Sequence, residues 1–310
     1  SSTHNSRFVL TLPVQDNSYV PDWFQRAIDR PTQSRFVEVE GCNVHYLTWS
    51  EIAHQKPGLL FIHGGGAHAN WWRFIAPFFA DAYQVAAIDL SGMGDSGARQ
   101  EYLPELWALE IGSVIADAGF PGEPVVVGHS FGGLMAMKYG AEHGDGLAGA
   151  VIVDSPVQDP DDEPIPKPPG ATGTGPKIHP DRRTAEKRFR LMPPQPCENS
   201  YITDFIARTS VKAEDGGWTW KFDHKVMGSR RFGEPYNAEL QALKCRAALI
   251  YGENSAIVSS RMVAYMSSLM GPLAPVVEIP EAYHHVMLDQ PLAFVAALRA
   301  ILDAWARDPI

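Results

Sequence analysis

Gly128-His129-Ser130-Phe131-Gly132 places a serine between two glycines, where the apolar run Pro124 to Val127 gives way to a helical pattern from Phe131 to His143. A chain that reverses sharply from strand to helix holds its central residue in a strained conformation with the Oγ exposed, and flanking side chains larger than hydrogen would collide with the two elements. Ser130 in that setting is a candidate nucleophile. The letters G-x-S-x-G are common alone; strand before and helix after make them specific. A serine hydroxyl also needs a base to take its proton, a carboxylate to orient that base, and N–H donors for the oxyanion that forms.

Residues suited to those tasks are spread along the chain. His63-Gly64-Gly65-Gly66 directly follows an apolar run, and Asp154 follows Val151-Ile152-Val153. Glu253 follows Tyr251-Gly252, and the pair His284-His285 lies in Glu281-Ala282-Tyr283-His284-His285-Val286-Met287-Leu288-Asp289-Gln290-Pro291. The paired histidines could suggest a metal, but no spacing supplies a third ligand, so no metal and no cofactor are expected. Asp89-Leu90-Ser91-Gly92-Met93-Gly94-Asp95-Ser96-Gly97 contains the letters of G-x-G-x-x-G. A dinucleotide fingerprint opens a helix at once, whereas here mixed residues intervene, and a structural turn is expected instead.

The elements that must carry these residues are legible as short apolar runs. Residues 58–63, 84–89, 124–128, 148–153, 247–251 and 275–279 read as strands buried on both faces, separated by helical patterns near 71–82, 103–119, 131–143, 258–270 and 291–306. That alternation predicts a mostly parallel sheet flanked by helices. A hairpin, Phe36 to Glu40 and Val44 to Trp49 about Gly41-Cys42-Asn43, precedes it. The core is thus expected over 35–154 and 241–310, behind an N-terminal arm at 1–34 that holds an amphipathic stretch from Trp23 to Ile28.

The insertion at 155–240 begins with a Pro- and Gly-rich stretch, 156–176, that reads as a mobile loop. Helical patterns follow at 182–191 and 201–210, and then Trp218, Trp220 and Phe222. Inserted between two strands of a parallel sheet, it is expected to cap their carboxyl ends, where ligands of open α/β sheets bind. With Trp71, Trp72, Phe131 and Met192, these aromatics suggest an apolar pocket.

On these motifs the chain resembles the α/β-hydrolase fold superfamily, in its serine-nucleophile esterase and lipase-like branch. The resemblance implies the α/β-hydrolase fold with an inserted helical cap, and an oxyanion hole formed by the Gly65 and Phe131 amides. It also implies the chain order nucleophile, acid, histidine. Counting back from Asp289 puts the base on His284 and leaves His285 to packing or hydrogen bonding. The usual acid, a few residues past the seventh strand's glycine, is replaced by Ser255. A hydroxyl cannot compensate an imidazolium. Haloalkane dehalogenases and the zearalenone-hydrolase branch are similar to an arrangement with the acid after the sixth strand, which here is Asp154; Glu253 is the alternative. Epoxide hydrolases and dehalogenases use an aspartate nucleophile where this chain has Ser130.

The expected activity is therefore cleavage of a carboxylic ester of a hydrophobic small molecule through an acyl-enzyme. A lactone hydrolase, a carbon-carbon bond hydrolase and a non-catalytic ligand-binding protein are the alternatives. The 310 residues carry a formal net charge of -10, which argues against nucleic acid or an anionic membrane as partner. Three separated cysteines, with no CxxC pair, suit a reducing compartment and a cytoplasmic location. No apolar run reaches the length of a membrane span, and nothing in the sequence sets the oligomeric state.

Overall fold

Strands with no polar face must be covered on both sides, and the sheet at the centre of this protein is covered that way. The computed structural model describes residues 19–49, 55–164, 176–229 and 234–309. Eight strands form one sheet: β1 (Gln33–Val39), β2 (Cys42–Thr48), β3 (Gly58–Ile62), β4 (Gln84–Ile88), β5 (Val125–His129), β6 (Gly149–Val153), β9 (Ala247–Gly252) and β10 (Val276–Ile279). Two more, β7 (Val211–Glu214) and β8 (Gly217–Trp220), pair as a separate hairpin. The order across the large sheet is β1-β2-β4-β3-β5-β6-β9-β10. Pairing is antiparallel at β1/β2 and β2/β4 and parallel at the other junctions.

Alternation along each strand divides the core in two. Leu59, Phe61, Val127, Val151 and Ile250 face one cluster; Leu60, Ile62, Val126, Ile152 and Leu249 face the other. The first is closed by α1 (Asp22–Asp29), α9 (Val286–Asp289) and α10 (Pro291–Arg307). The second is closed by α2 (Pro104–Ala118), α3 (Phe131–His143), α7 (Asn237–Gln241) and α8 (Ser260–Met270). In α1, Phe24 is 1% exposed, with its ring 5.0 Å from Tyr201, 5.5 Å from Phe74 and 5.8 Å from Phe205. Burying such a ring contributes roughly 1.5–3 kcal/mol, which fixes residues 19–29 to the body.

The segment between β6 and β9 carries α4 (Arg182–Lys187), α5 (Ser200–Thr209), the β7/β8 hairpin and α6 (His224–Ser229). Most of the Pro- and Gly-rich stretch, 165–175, lies outside the described residues.

Two expectations need correction. Residues 71–82 form no helix but two short 3₁₀ turns, Ala69–Trp72 and Ala76–Phe78. Pro77 removes a donor there, and Trp71, Trp72, Phe74 and Ile75 are all buried, so no polar face exists to set a 3.6-residue period. The helix expected over 182–191 stops at Lys187, ahead of Pro193-Pro194. The run Trp218-Thr219-Trp220 is the second strand of a hairpin whose turn is Asp215-Gly216.

Candidate active site

Every motif singled out above emerges at the carboxyl end of a strand: His63 after β3, Asp89 after β4, Ser130 after β5, Asp154 after β6, Glu253 after β9 and His284 beyond β10. Ser130 sits between β5 and α3 with φ 53° and ψ -119°. That region is costly for a residue with a Cβ, and it persists because the surroundings fix it. The Ser130 amide donates to the Val153 carbonyl at 2.8 Å, and its own carbonyl accepts the Ser155 hydroxyl at 2.7 Å. The flanking glycines are required by contact. A Cβ at Gly128 would lie 2.6 Å from the Gly132 carbonyl carbon, and one at Gly132 would lie 2.8 Å from the Ile62 carbonyl carbon.

Asp154 shares the unusual backbone, with φ 48°, and is fully buried. Its Oδ1 accepts the Gly252 amide at 2.9 Å; its Oδ2 accepts the Ser255 hydroxyl at 2.6 Å and the His284 Nδ1 proton at 2.6 Å. With Nδ1 committed to Asp154, His284 keeps Nε2 for another partner. Glu253 is exposed and accepts the Glu281 amide at 2.8 Å, so it does not meet the imidazole.

The His63–Gly66 loop lies against the serine: a Cβ at Gly64 would be 3.5 Å from Ser130 Cβ. His63 pins the loop, its Nδ1 donating to the Gly64 carbonyl at 2.7 Å and its Nε2 accepting the Leu90 amide at 3.0 Å. Burial holds this imidazole below the ordinary histidine range. Gly65 is half-buried, and Phe131 opens α3, where helical amides point out of the N-terminus.

Asp89 organises the neighbouring turn. It accepts the Ala69 amide at 2.6 Å, the Asp95 amide at 3.0 Å and His45 Nδ1 at 2.7 Å. Burial would raise its carboxyl, but the His45 hydrogen bond and the nearby His68, His45 and His63 hold it low. Gly94, at φ +60°, has no room for a Cβ beside that carboxylate. The turn is structural, with no helix opening from it before Pro104.

The segment between β6 and β9 is tied to this site at three places. Gln195 donates to Asp289 Oδ1 and Oδ2, each at 2.9 Å, and accepts the His285 amide at 3.0 Å. Asp289 also accepts the Tyr283 amide at 2.8 Å, so both neighbours of His284 are held by one Gln–Asp clasp. Asn199 donates to the Leu288 carbonyl at 2.8 Å. Farther on, Ser210 meets His68 Nε2 at 2.8 Å, and Met93 bridges to Phe222. Gln195, Asn199, His68 and Ser210 carry no local sequence signal, since their partners are remote in the chain.

The residues expected to line a pocket disperse. Trp71 stays at the site, its ring 5.3 Å from that of His285. Trp72 does not: at 1% exposure it packs against Phe61 and Phe294 in the core. The Met192 side chain is 58% exposed rather than enclosed, although its backbone hydrogen-bonds the His285 ring. Trp218 lies under the Arg182 guanidinium, 5.6 Å from it. Trp220 lines a cavity of about 600 Å³ with Lys177, His179, Pro180, Thr184, Arg188 and Arg190, whose lining includes none of Ser130, Asp154 and His284.

A third ring completes the vicinity of the paired histidines. His129, inside the serine turn, meets the His284 carbonyl through Nε2 at 2.9 Å, and its ring lies 4.9 Å from His284 and 5.5 Å from His285. Burial, with His284 beside it, pushes His129 down to about 3; the same causes push His285 well below the usual range. No helix among the described residues is long and apolar enough to cross a membrane.

Known proteins share this arrangement of chain. A family profile described as the alpha/beta hydrolase family matches residues 59–298. Esterase Rv0045c of Mycobacterium tuberculosis is 26% identical over 86% of this chain and 88% of its own. The pimeloyl-[acyl-carrier protein] methyl ester esterase of Chromobacterium violaceum is 28% identical over 83% of this chain and 98% of its own. The solved structure of E-2-(acetamidomethylene)succinate hydrolase superposes with a TM-score of 0.73 at 21% identity, covering 88% of this chain and all (100%) of that one. At that identity the likeness is one of fold.

Proposed function

The chain belongs to the alpha/beta hydrolase family, and we propose that it is a serine ester hydrolase in which Ser130, His284 and Asp154 form the reacting relay. The observation that carries the reading is the Asp154–His284 contact of 2.6 Å at the mouth of the turn that presents Ser130. Two relatives bearing esterase names favour an ester over the lactone and carbon-carbon bond alternatives.

In this mechanism Ser130 Oγ attacks the acyl carbonyl while His284 Nε2 takes its proton. Asp154, an acceptor at Nδ1, fixes the tautomer and compensates the imidazolium. The carbonyl oxygen becomes an oxyanion held by the Gly65 and Phe131 amides, each worth about 2.7–4 kcal/mol in comparable sites. His284 returns the proton to the departing alcohol, leaving an acyl-serine. Water, deprotonated by the same imidazole, then attacks the acyl-serine and releases the acid. Residues 155–240 act as the cap over the strand ends, and Trp71 gives the acyl or alcohol group an apolar wall. The substrate is a hydrophobic small molecule.

A fluorophosphonate probe followed by peptide mapping tests the assignment, together with a panel of p-nitrophenyl esters. The expected result is one adduct on Ser130, none in Ser130→Ala, and ester turnover lost with it. An intact chain that takes no adduct and turns over no ester would return the protein to the ligand-binding class.

A further inference from the structure

The stretch from Lys177 to Arg190 carries six lysines and arginines against two carboxylates, a net charge of +4 inside a chain of net charge -10. Both carboxylates are engaged. Asp181 accepts the Thr184 amide at 2.8 Å ahead of α4, and Glu186 pairs with Arg182 at 2.7 Å. Lys177, Arg188 and Arg190 make no ion pair among the described residues. Cations of one sign gathered on a concave wall repel one another, and an anion between them relieves that repulsion.

Those three side chains line one cavity, of about 600 Å³, with Trp220 of β8. Small-molecule sites span roughly 300–1,000 Å³. Hydrogen bonds make the wall one piece. The His179 amide donates to the Trp218 carbonyl at 2.7 Å and its carbonyl accepts the Trp218 amide at 2.9 Å, while the Lys177 carbonyl accepts the Thr219 hydroxyl at 2.9 Å. The Trp220 ring packs against those of His179 and Phe189, 5.9 and 6.1 Å away. Arg190 Nη1 donates to the Lys187 and Phe189 carbonyls at 2.9 and 2.7 Å, which orients its guanidinium and leaves the rest of the fork for a ligand. His179 Nε2 is buried without a hydrogen-bond partner among the described residues, one more polar group that the protein leaves unmatched.

We infer that this cavity binds an amphiphilic organic acid, its carboxylate meeting Lys177, Arg188 and Arg190 and its apolar body lying on Trp220. A guanidinium fork matches a carboxylate through two parallel hydrogen bonds. Most of the wall is apolar, so a bare inorganic anion would leave it uncovered. The site is separate from the relay, since its lining contains none of Ser130, Asp154 and His284. An acid released by the ester cleavage proposed above is a ligand of this class, but the binding does not rest on that reaction.

Calorimetric titration of decanoate into the full chain, and into Ser130→Ala, should show one equivalent bound with the same affinity in both. Decanol, which keeps the chain without the charge, and acetate, which keeps the charge without the chain, should each bind at least about tenfold more weakly. Arg188→Gln/Arg190→Gln, at exposed positions, should weaken decanoate at least about tenfold with its thermal melt unchanged. Lys177→Gln, on the other side of α4, should weaken it as an independent second variant. Trp71→Ala alters the wall beside His285 and should leave the affinity unchanged. Binding of decanoate by a parent that cleaves no ester would sink the proposed reaction and leave this site standing. Equal binding of decanoate and decanol, no binding to the folded parent, no effect of either charge variant, or loss of binding in Trp71→Ala would overturn the site.

Discussion

Ser255 donates its hydroxyl to Asp154 Oδ2, the same oxygen that accepts the His284 Nδ1 proton. Position 255, where the resemblance puts the acid, therefore holds a hydroxyl bound to the carboxylate that meets His284 from the end of β6. Ser255 Oγ also accepts the Ile257 and Val258 amides, at 3.2 and 3.0 Å, so its hydroxyl is held in place.

Asp154→Asn should lower ester turnover by about 10⁴, because an amide at that place favours the wrong imidazole tautomer. Glu253→Gln should stay within several-fold of the parent. Steady-state kinetics of both on one chromogenic ester decide the matter, and the opposite ranking would move the acid to the loop after β9.

Ser255→Ala should cost about tenfold in kcat, the loss of one charge-assisted hydrogen bond at the relay. Placing a carboxylate there is more informative. Asp154→Asn/Ser255→Asp should recover activity relative to Asp154→Asn alone, since a carboxylate would again stand beside His284. No recovery in a folded double variant would mean that position 255 cannot serve the imidazole.

Gln195→Leu should reduce kcat by roughly 10- to 100-fold while leaving the serine open to a small fluorophosphonate, because it frees the His284 segment without touching the nucleophile turn. The split between slow turnover and retained labelling distinguishes a displaced base from a damaged fold. An unchanged kcat would show that the clasp is dispensable.

Burial holds His129 at about 3 and His68 at about 4, whereas an unfolded histidine gains its proton near pH 6.5. Between those limits the unfolded chain binds protons that the folded chain refuses. Stability therefore falls as pH drops from about 6.5 towards about 4, by about 1.4 kcal/mol per pH unit for each such ring. Thermal melts at pH 7.5 and 5.0 should show the loss. His68→Asn, which keeps a donor for Ser210, should lessen the difference between the two pH values; an undiminished difference would count against His68 as a source.

The sheet and the order of chemical groups could be read from sequence because each depends on a local pattern. A five-residue run such as Val125 to His129 has no face for water, and a glycine two residues either side of Ser130 reports a turn that tolerates nothing larger. Where local pattern ended, so did the reading. Trp72 carries the same letter as Trp71, yet only one ring reaches the histidines, and that is decided by the 3₁₀ turn, not by either residue. Trp220 reads from sequence as part of one pocket with Trp71, yet the side chains beside it come from residues 177–190, a segment that precedes its hairpin and pairs with it at His179–Trp218. The pairing of Gln195 with Asp289 spans 94 residues and leaves no trace in spacing.

The three attachments of the β6–β9 insertion bear on how such a protein can change. Gln195 grips the loop of His284, Ser210 meets His68 just past the His63–Gly66 loop, and residues 221–223 hold the turn built on Asp89. An insertion exchanged for another would thus alter rate along with choice of substrate, unless the newcomer brought its own grip on Asp289. Under the proposed mechanism selectivity and speed would be inherited together, and a library that varies the insertion should leave positions 195, 199 and 210 untouched.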